Sequence, residues 1–101
     1  MKHIRVATYD ITKGNFQDIA EEARVGFLPK LQDQPGFLRY GVADIGDRKL
    51  VSISLWETRE QAEHAVPVAA EWVRGNMSDR VVLRSNYVGD LAFFNGVPAT
   101  V

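Results

Sequence analysis

Apolar and polar positions alternate from the first residues of the chain. Over residues 3–10, Ile4, Val6 and Thr8 fall on one side of an extended strand and Arg5, Ala7 and Tyr9 on the other, so a first β-strand is expected there. Gly14-Asn15 then interrupts the pattern. Phe16, Ile19, Ala20, Ala23, Phe27 and Leu31 recur at steps of three and four, which is the apolar stripe of a helix near 16–33. Asn15 can cap that helix, and Asp18 in its first turn suits the helix dipole. Pro29 should kink or weaken its last turns, and Gln34-Pro35-Gly36 should stop it. Two strand patterns follow, at about 37–45 and 49–56, joined by a tight turn at Gly46-Asp47. Thr58-Arg59-Glu60-Gln61 reads as a capping box that opens a second helix over about 58–77, striped by Ala62, Ala65, Val66, Ala69, Trp72, Val73 and Met77. Pro67 interrupts it, so two pieces meeting near residue 66 are expected. A last strand runs from Val81 to Val88, with Gly89 marking a bulge or its end.

The order β-α-β-β-α-β implies an α+β fold in which two right-handed crossovers flank a hairpin. Its simplest form is a ferredoxin-like sandwich, a four-stranded antiparallel sheet with both helices on one face. The strands do not suit a sheet with one wet face. Val51, Ile53 and Leu55 oppose Leu50 and Trp56, while Val81, Leu83 and Tyr87 oppose Val82 and Val88. Apolar residues at both parities imply that the uncovered face meets a second copy of the chain, giving a homodimer.

Composition narrows the function classes. The chain of 101 residues suits one domain, residues 1–101, and its 46% hydrophobic and 25% charged residues describe a soluble globular protein. With a net charge of −1 and no basic stripe, no nucleic-acid partner is expected. The start lacks a signal-peptide core. The longest charge-free run, Leu91 to Val101, is too short to span a bilayer and carries Gly96 and Pro98, so no membrane association is expected. The absence of cysteine removes disulfides and thiolate chemistry and fits a cytoplasmic location.

Residues able to do chemistry are few. His64 shares a helix face with Glu60 and Glu71, an arrangement that reads as a solvated charge pair rather than half a metal site, and His3 sits at the strand's start. Trp72 falls in the apolar stripe, whereas Trp56, ending a strand, is placed either in the packing or at a pocket mouth. Tyr9 and Tyr40 offer phenols to a ligand oxygen. Arg84 and Asn86, two apart in an apolar strand, are expected on one face, where Arg84 needs a ligand anion or a carboxylate such as Asp44. Tyr9, Trp56, Arg84 and Asn86 are therefore the candidate ligand-binding residues. No catalytic set is recognisable, and neither a metal nor an organic cofactor is expected.

This element order, with Pro35-Gly36-Phe37 after the first helix and Ser54-Leu55-Trp56-Glu57-Thr58 leading into the second, resembles the dimeric α+β-barrel superfamily. More closely it is similar to the antibiotic-biosynthesis-monooxygenase-like branch, over essentially the whole chain to about residue 95. The resemblance implies a pocket between sheet and helices within each subunit. It also implies either metal- and flavin-free oxygenation of polycyclic aromatic molecules or haem binding, although the superfamily includes other activities. The haem-degrading group relies on an asparagine in strand 1 and a tryptophan and histidine on helix 2. Here Ala7, Ala65 and about Gly75 stand at those positions, so haem binding is not expected. Two functions remain open: cofactor-independent monooxygenation of a small aromatic substrate, or non-catalytic ligand binding or assembly on the same scaffold.

Overall fold

The computed structural model describes residues 2–94. Strands β1 (His3–Ile11), β2 (Phe37–Gly46), β3 (Lys49–Trp56) and β4 (Val81–Asp90) form one sheet in the order β2-β3-β1-β4, with every neighbouring pair antiparallel. The expected ferredoxin-like α+β sandwich is the observed fold. β1 therefore lies inside the sheet, hydrogen-bonded to β3 on one side and β4 on the other.

The inner face of the sheet carries Arg5, Ala7, Tyr9 and Ile11 of β1 and Leu50, Ser52, Ser54 and Trp56 of β3, all buried. Buried side chains from the first helical run (Ile19, Ala23, Phe27, Leu31) and from the second (Ala62, Ala65, Ala69, Trp72) join the inner apolar strand residues in one core. Both helical runs thus cover the same face.

The first run is not a uniform helix. An α-helix, α1 (Phe16–Glu22), passes into a π-helical turn at Ala23–Phe27 and then into α2 (Leu28–Gln32). The widened turn has a local cause. Pro29 has no N–H for the carbonyl four residues back and its ring crowds that carbonyl. The chain opens to an i→i−5 bond, Leu28 N–H to Ala23 O, just before it. Asn15 caps α1 through the Asp18 amide at 2.9 Å.

The second run, α3 (Arg59–Asn76), is unbroken through Pro67, contrary to the expected division near residue 66. Pro67 is exposed, so water can satisfy the carbonyl it leaves unbonded. Buried alanines on both sides and Trp72 clamp the inner face of the helix. The capping box is present as expected: Gln61 N–H donates to Thr58 Oγ1 at 3.2 Å, and Gln61 Oε1 accepts from Thr58 N–H at 3.1 Å.

Two register features differ from the sequence reading. The β2–β3 turn is centred on Asp47 and Arg48 (φ 51° and 57°), one position later than Gly46-Asp47. Arg48 anchors it by donating to the carbonyls of Ile11 and Gly14 at 3.2 and 3.0 Å. In β4, Thr8 faces Ser85 but Tyr9 faces Leu83, leaving Arg84 as the extra residue of a bulge. The bulge reverses the parity of the strand, so Val81 and Leu83 below it share the inner face with Asn86 and Val88 above it. Among the described residues, no helix is long and apolar enough to cross a membrane.

Gly36 ties the first helical run to α3. Its φ is 79°, and a Cβ there would lie 1.7 Å from Gln61 Oε1, the acceptor of the capping box. Gly36→Ala therefore strains the backbone and displaces the cap. The expected loss is about 2 kcal/mol in urea unfolding. Gly41→Ala, where a Cβ meets no atom within 4 Å, should change stability by under about 0.5 kcal/mol.

Candidate functional site

Between the inner sheet face and the helices lies a cavity of about 40 Å³. Its walls are Tyr9, Leu50 and Val81 from the strands, Ile19 and Phe27 from the first helical run, and Trp72 and Met77 from α3 and its end. Tyr40 and Ser52 supply its polar end. Aromatic rings shape it: Phe27 meets Tyr40 edge to face with centroids 5.4 Å apart and Trp72 at 5.2 Å. Gly26, in the π-helical turn, lets the backbone approach the Trp72 indole, since a Cβ there would sit 3.2 Å from Trp72 Cζ2.

Two open grooves flank the cavity. One, of about 320 Å³, shares Tyr9, Val73 and Val81 and runs between α3 and β4. The other, of about 260 Å³, shares Tyr40 and Val42 and runs between α1 and β2. The central cavity, itself partly open, has room for a few waters, and a larger guest must displace side chains.

The Tyr40 phenol is tuned by this setting. Burial pushes its pKa up to about 12, opposed by the polar Ser52 hydroxyl, raised further by nearby Tyr9 and lowered by the Arg5 charge. Tyr40 is thus a neutral hydrogen-bond donor at any ordinary pH.

The structure does not gather the four candidate residues into one site. Tyr9 lines the cavity. Trp56 is fully buried outside it, donating from Nε1 to Ser54 Oγ at 2.8 Å and packing edge to face on Phe37. Arg84 and Asn86 lie on opposite faces, a correction to their expected common side, because Arg84 is the bulged residue. Arg84 Nε pairs with Asp10 Oδ2 at 2.6 Å on the outer face, where Lys49 also holds Asp10 at 2.8 Å. The carboxylate partner is thus Asp10 and not Asp44. Asn86 faces inward and accepts from Arg5 Nε at 2.7 Å. His64 and Glu60 are exposed beside a groove with Pro35, Thr58 and Gln61, and among the described residues no three metal-ligating side chains cluster.

Three further features were missed in the sequence. Tyr40, Phe27 and Trp72 together make the aromatic wall, a juxtaposition that only the fold creates. Arg5 is 4% exposed on the inner face, although its parity with Ala7 and Tyr9 was readable. His3, at the start of β1, is anchored: its Nε2 lies 2.7 Å from Asp90 Oδ1, and its buried Nδ1 has no partner among the described residues.

Solved structures share this architecture. SnoaB, a cofactor-independent oxygenase from Streptomyces nogalater, superimposes with a TM-score of 0.64 over 99% of this chain and 98% of its own, at 14% identity. A dimeric ferredoxin-like protein from an uncultured marine organism gives 0.71 over 96% and 100%, at 9% identity. A proposed antibiotic biosynthesis monooxygenase from Nitrosomonas europaea gives 0.67 over 94% of each chain, at 15% identity. At these identities the likeness shows a shared ferredoxin-like fold. No family model matches the sequence, and no curated protein matches it. In this fold the sheet–helix cavity and the bare outer sheet face are the two surfaces left to explain.

The raised Tyr40 pKa makes stability depend on pH in the alkaline range. The folded value of about 12 lies above the ordinary phenol value of 10.0, so the preference for the neutral phenol is intact below pH 10. It is lost as pH rises through about 12. Urea unfolding across that interval should lose on the order of 2–3 kcal/mol, and Tyr40→Phe should remove this part of the slope.

Proposed function

We propose that the protein is a single-domain homodimer (residues 1–101) of the cytoplasm that binds a small aromatic molecule between sheet and helices and oxygenates it without metal or flavin. The observation that carries this reading is the aromatic-walled cavity with a neutral, partly buried phenol, Tyr40, in its lining. Flat rings stack against Phe27 and Trp72, and the Tyr40 hydroxyl donates to a ligand oxygen on which negative charge develops. An electron-rich fused-ring phenol can itself reduce dioxygen. Its activated CH₂ becomes a carbonyl, one oxygen atom is retained, and the other leaves as water with the two hydrogens. The likeness to SnoaB, a cofactor-independent oxygenase, supports oxygenation without a cofactor.

The dimer part rests on the outer sheet face. Ile4, Val6, Val51 and Ile53 stand there with Tyr87, which is 68% exposed, and Phe93 and Phe94 continue past β4 largely exposed. Leaving such residues wet forgoes about 1.5–3 kcal/mol each relative to burial. Sedimentation equilibrium should give the mass of two chains, and Ile53→Asp should give one; a wild-type monomer at micromolar concentration would refute the dimer.

A second reading, non-catalytic ligand binding or assembly, is favoured by the small size of the cavity. Oxygen-electrode assays with fused-ring phenols, in excess chelator, separate the two. Enzymatic oxygenation requires protein-dependent uptake, with label from isotopic dioxygen in the product, and a loss of about 10²-fold in kcat for Tyr40→Phe. Saturable binding without uptake would establish the second reading.

A further inference from the structure

The cleft between the inner sheet face and the helices is divided by side chains. The cavity of about 40 Å³ and the groove of about 320 Å³ between α3 and β4 share three walls, Tyr9, Val73 and Val81. Tyr9 and Val81 are strand residues fixed in the core. Val73 is half-buried and packs on that core from α3. Of the three, it is the one whose truncation leaves the sheet untouched. On the other side, the walls shared with the second groove are Val42 and the Tyr40 ring, which is held edge to face on Phe27 at 5.4 Å. The lighter partition is therefore the one on the α3 side.

Beyond Val73 the groove is open because its helical wall is low. α3 turns Ala70, Val73 and Arg74 toward it, at i, i+3 and i+4, and Ala70 contributes only a methyl group. The facing wall is apolar and wet, with Val82 and Leu83 of β4 40% and 48% exposed. Apolar surface in a concave site gains by being covered, so the groove favours a guest long enough to reach it from the cavity. Val73 opposes that reach. A β-branched side chain in a helix has one strongly preferred χ1 rotamer, so its methyl groups do not swing aside as an unbranched chain would.

We propose that Val73 is the specificity-determining side chain of the cavity, a rigid partition that limits guests to those short enough to stay out of the α3–β4 groove. The inference rests on the reading of the cavity as a small-molecule site and adds the residue that sets the length of the guest.

Two linear fused-ring phenols that differ by one ring, 2-naphthol and 2-anthrol, test it through the anisotropy of their own fluorescence. Wild-type protein should bind 2-naphthol at least about 10-fold more tightly than 2-anthrol. Val73→Ala should erase or reverse that preference by tightening 2-anthrol. Adding Ala70→Leu, at a position that lines the groove but not the cavity, should restore it. A preference that survives Val73→Ala, or that Ala70→Leu fails to restore, would overturn the partition while leaving the cavity reading intact. Equal or tighter binding of 2-anthrol by wild-type protein would do the same. Failure of both probes to bind any of these proteins would overturn the cavity reading as well. If Val73→Ala does not fold, Val73→Ile decides: a preference wider than that of wild-type protein supports the partition, and an unchanged or narrower one refutes it.

Discussion

The register of β1 against its two neighbours is the constraint on which the rest of this molecule depends. A strand inside a sheet has side chains to place on both faces, and a slip of one residue exchanges the two sets. In the observed register Ala7, Tyr9 and Ile11 enter the helix-covered core, while Thr8 and Asp10 stay outside. A slip would bury Asp10 and expel Tyr9, removing both the outer ion cluster and a wall of the cavity. The pairing with β4 tolerates its own irregularity only because the bulge at Arg84 restores inward apolar residues on both sides of it.

Much of the architecture was legible because it is written locally. The capping box at Thr58, the stop at Pro35-Gly36 and the alternation in β1 each depend on residues within one turn or one strand. Gly36 shows how local signals combine: its positive φ and the Gln61 side chain close against it are two halves of one junction. The parts that were misread depend on partners distant in sequence. Nothing within Val81–Asp90 reveals that Arg84 is an extra residue, since the bulge exists only relative to Thr8 and Tyr9. Pro67 looked like a break because propensity counts the lost hydrogen bond but not the packing that holds the inner face of α3 together. The site was the least legible. Trp56 was weighed for its size and position, but its fully buried indole satisfies itself on Ser54, while the cavity draws its rings from Phe27, Tyr40 and Trp72 on three separate elements.

The distribution of polarity across the sheet runs opposite to that of a self-sufficient sandwich. β3 sends Ser52 and Ser54 toward the helices and Val51, Ile53 and Leu55 away from them. The inner face further collects Arg5 from the inner strand β1 and Tyr40 and Asn86 from the two edge strands. Were the helix-covered side the only core, polar residues there would cost desolvation and apolar ones outside would gain nothing. The pattern makes physical sense if the two faces have separate tasks. An outer face that is apolar in a stripe from Ile4 to Ile53 can be buried by association. That leaves the inner face free to keep polar groups that pair with one another there, as Arg5 does with Asn86 and Trp56 with Ser54. On this view stability and recognition sit on opposite sides of one sheet, and β1 belongs to both.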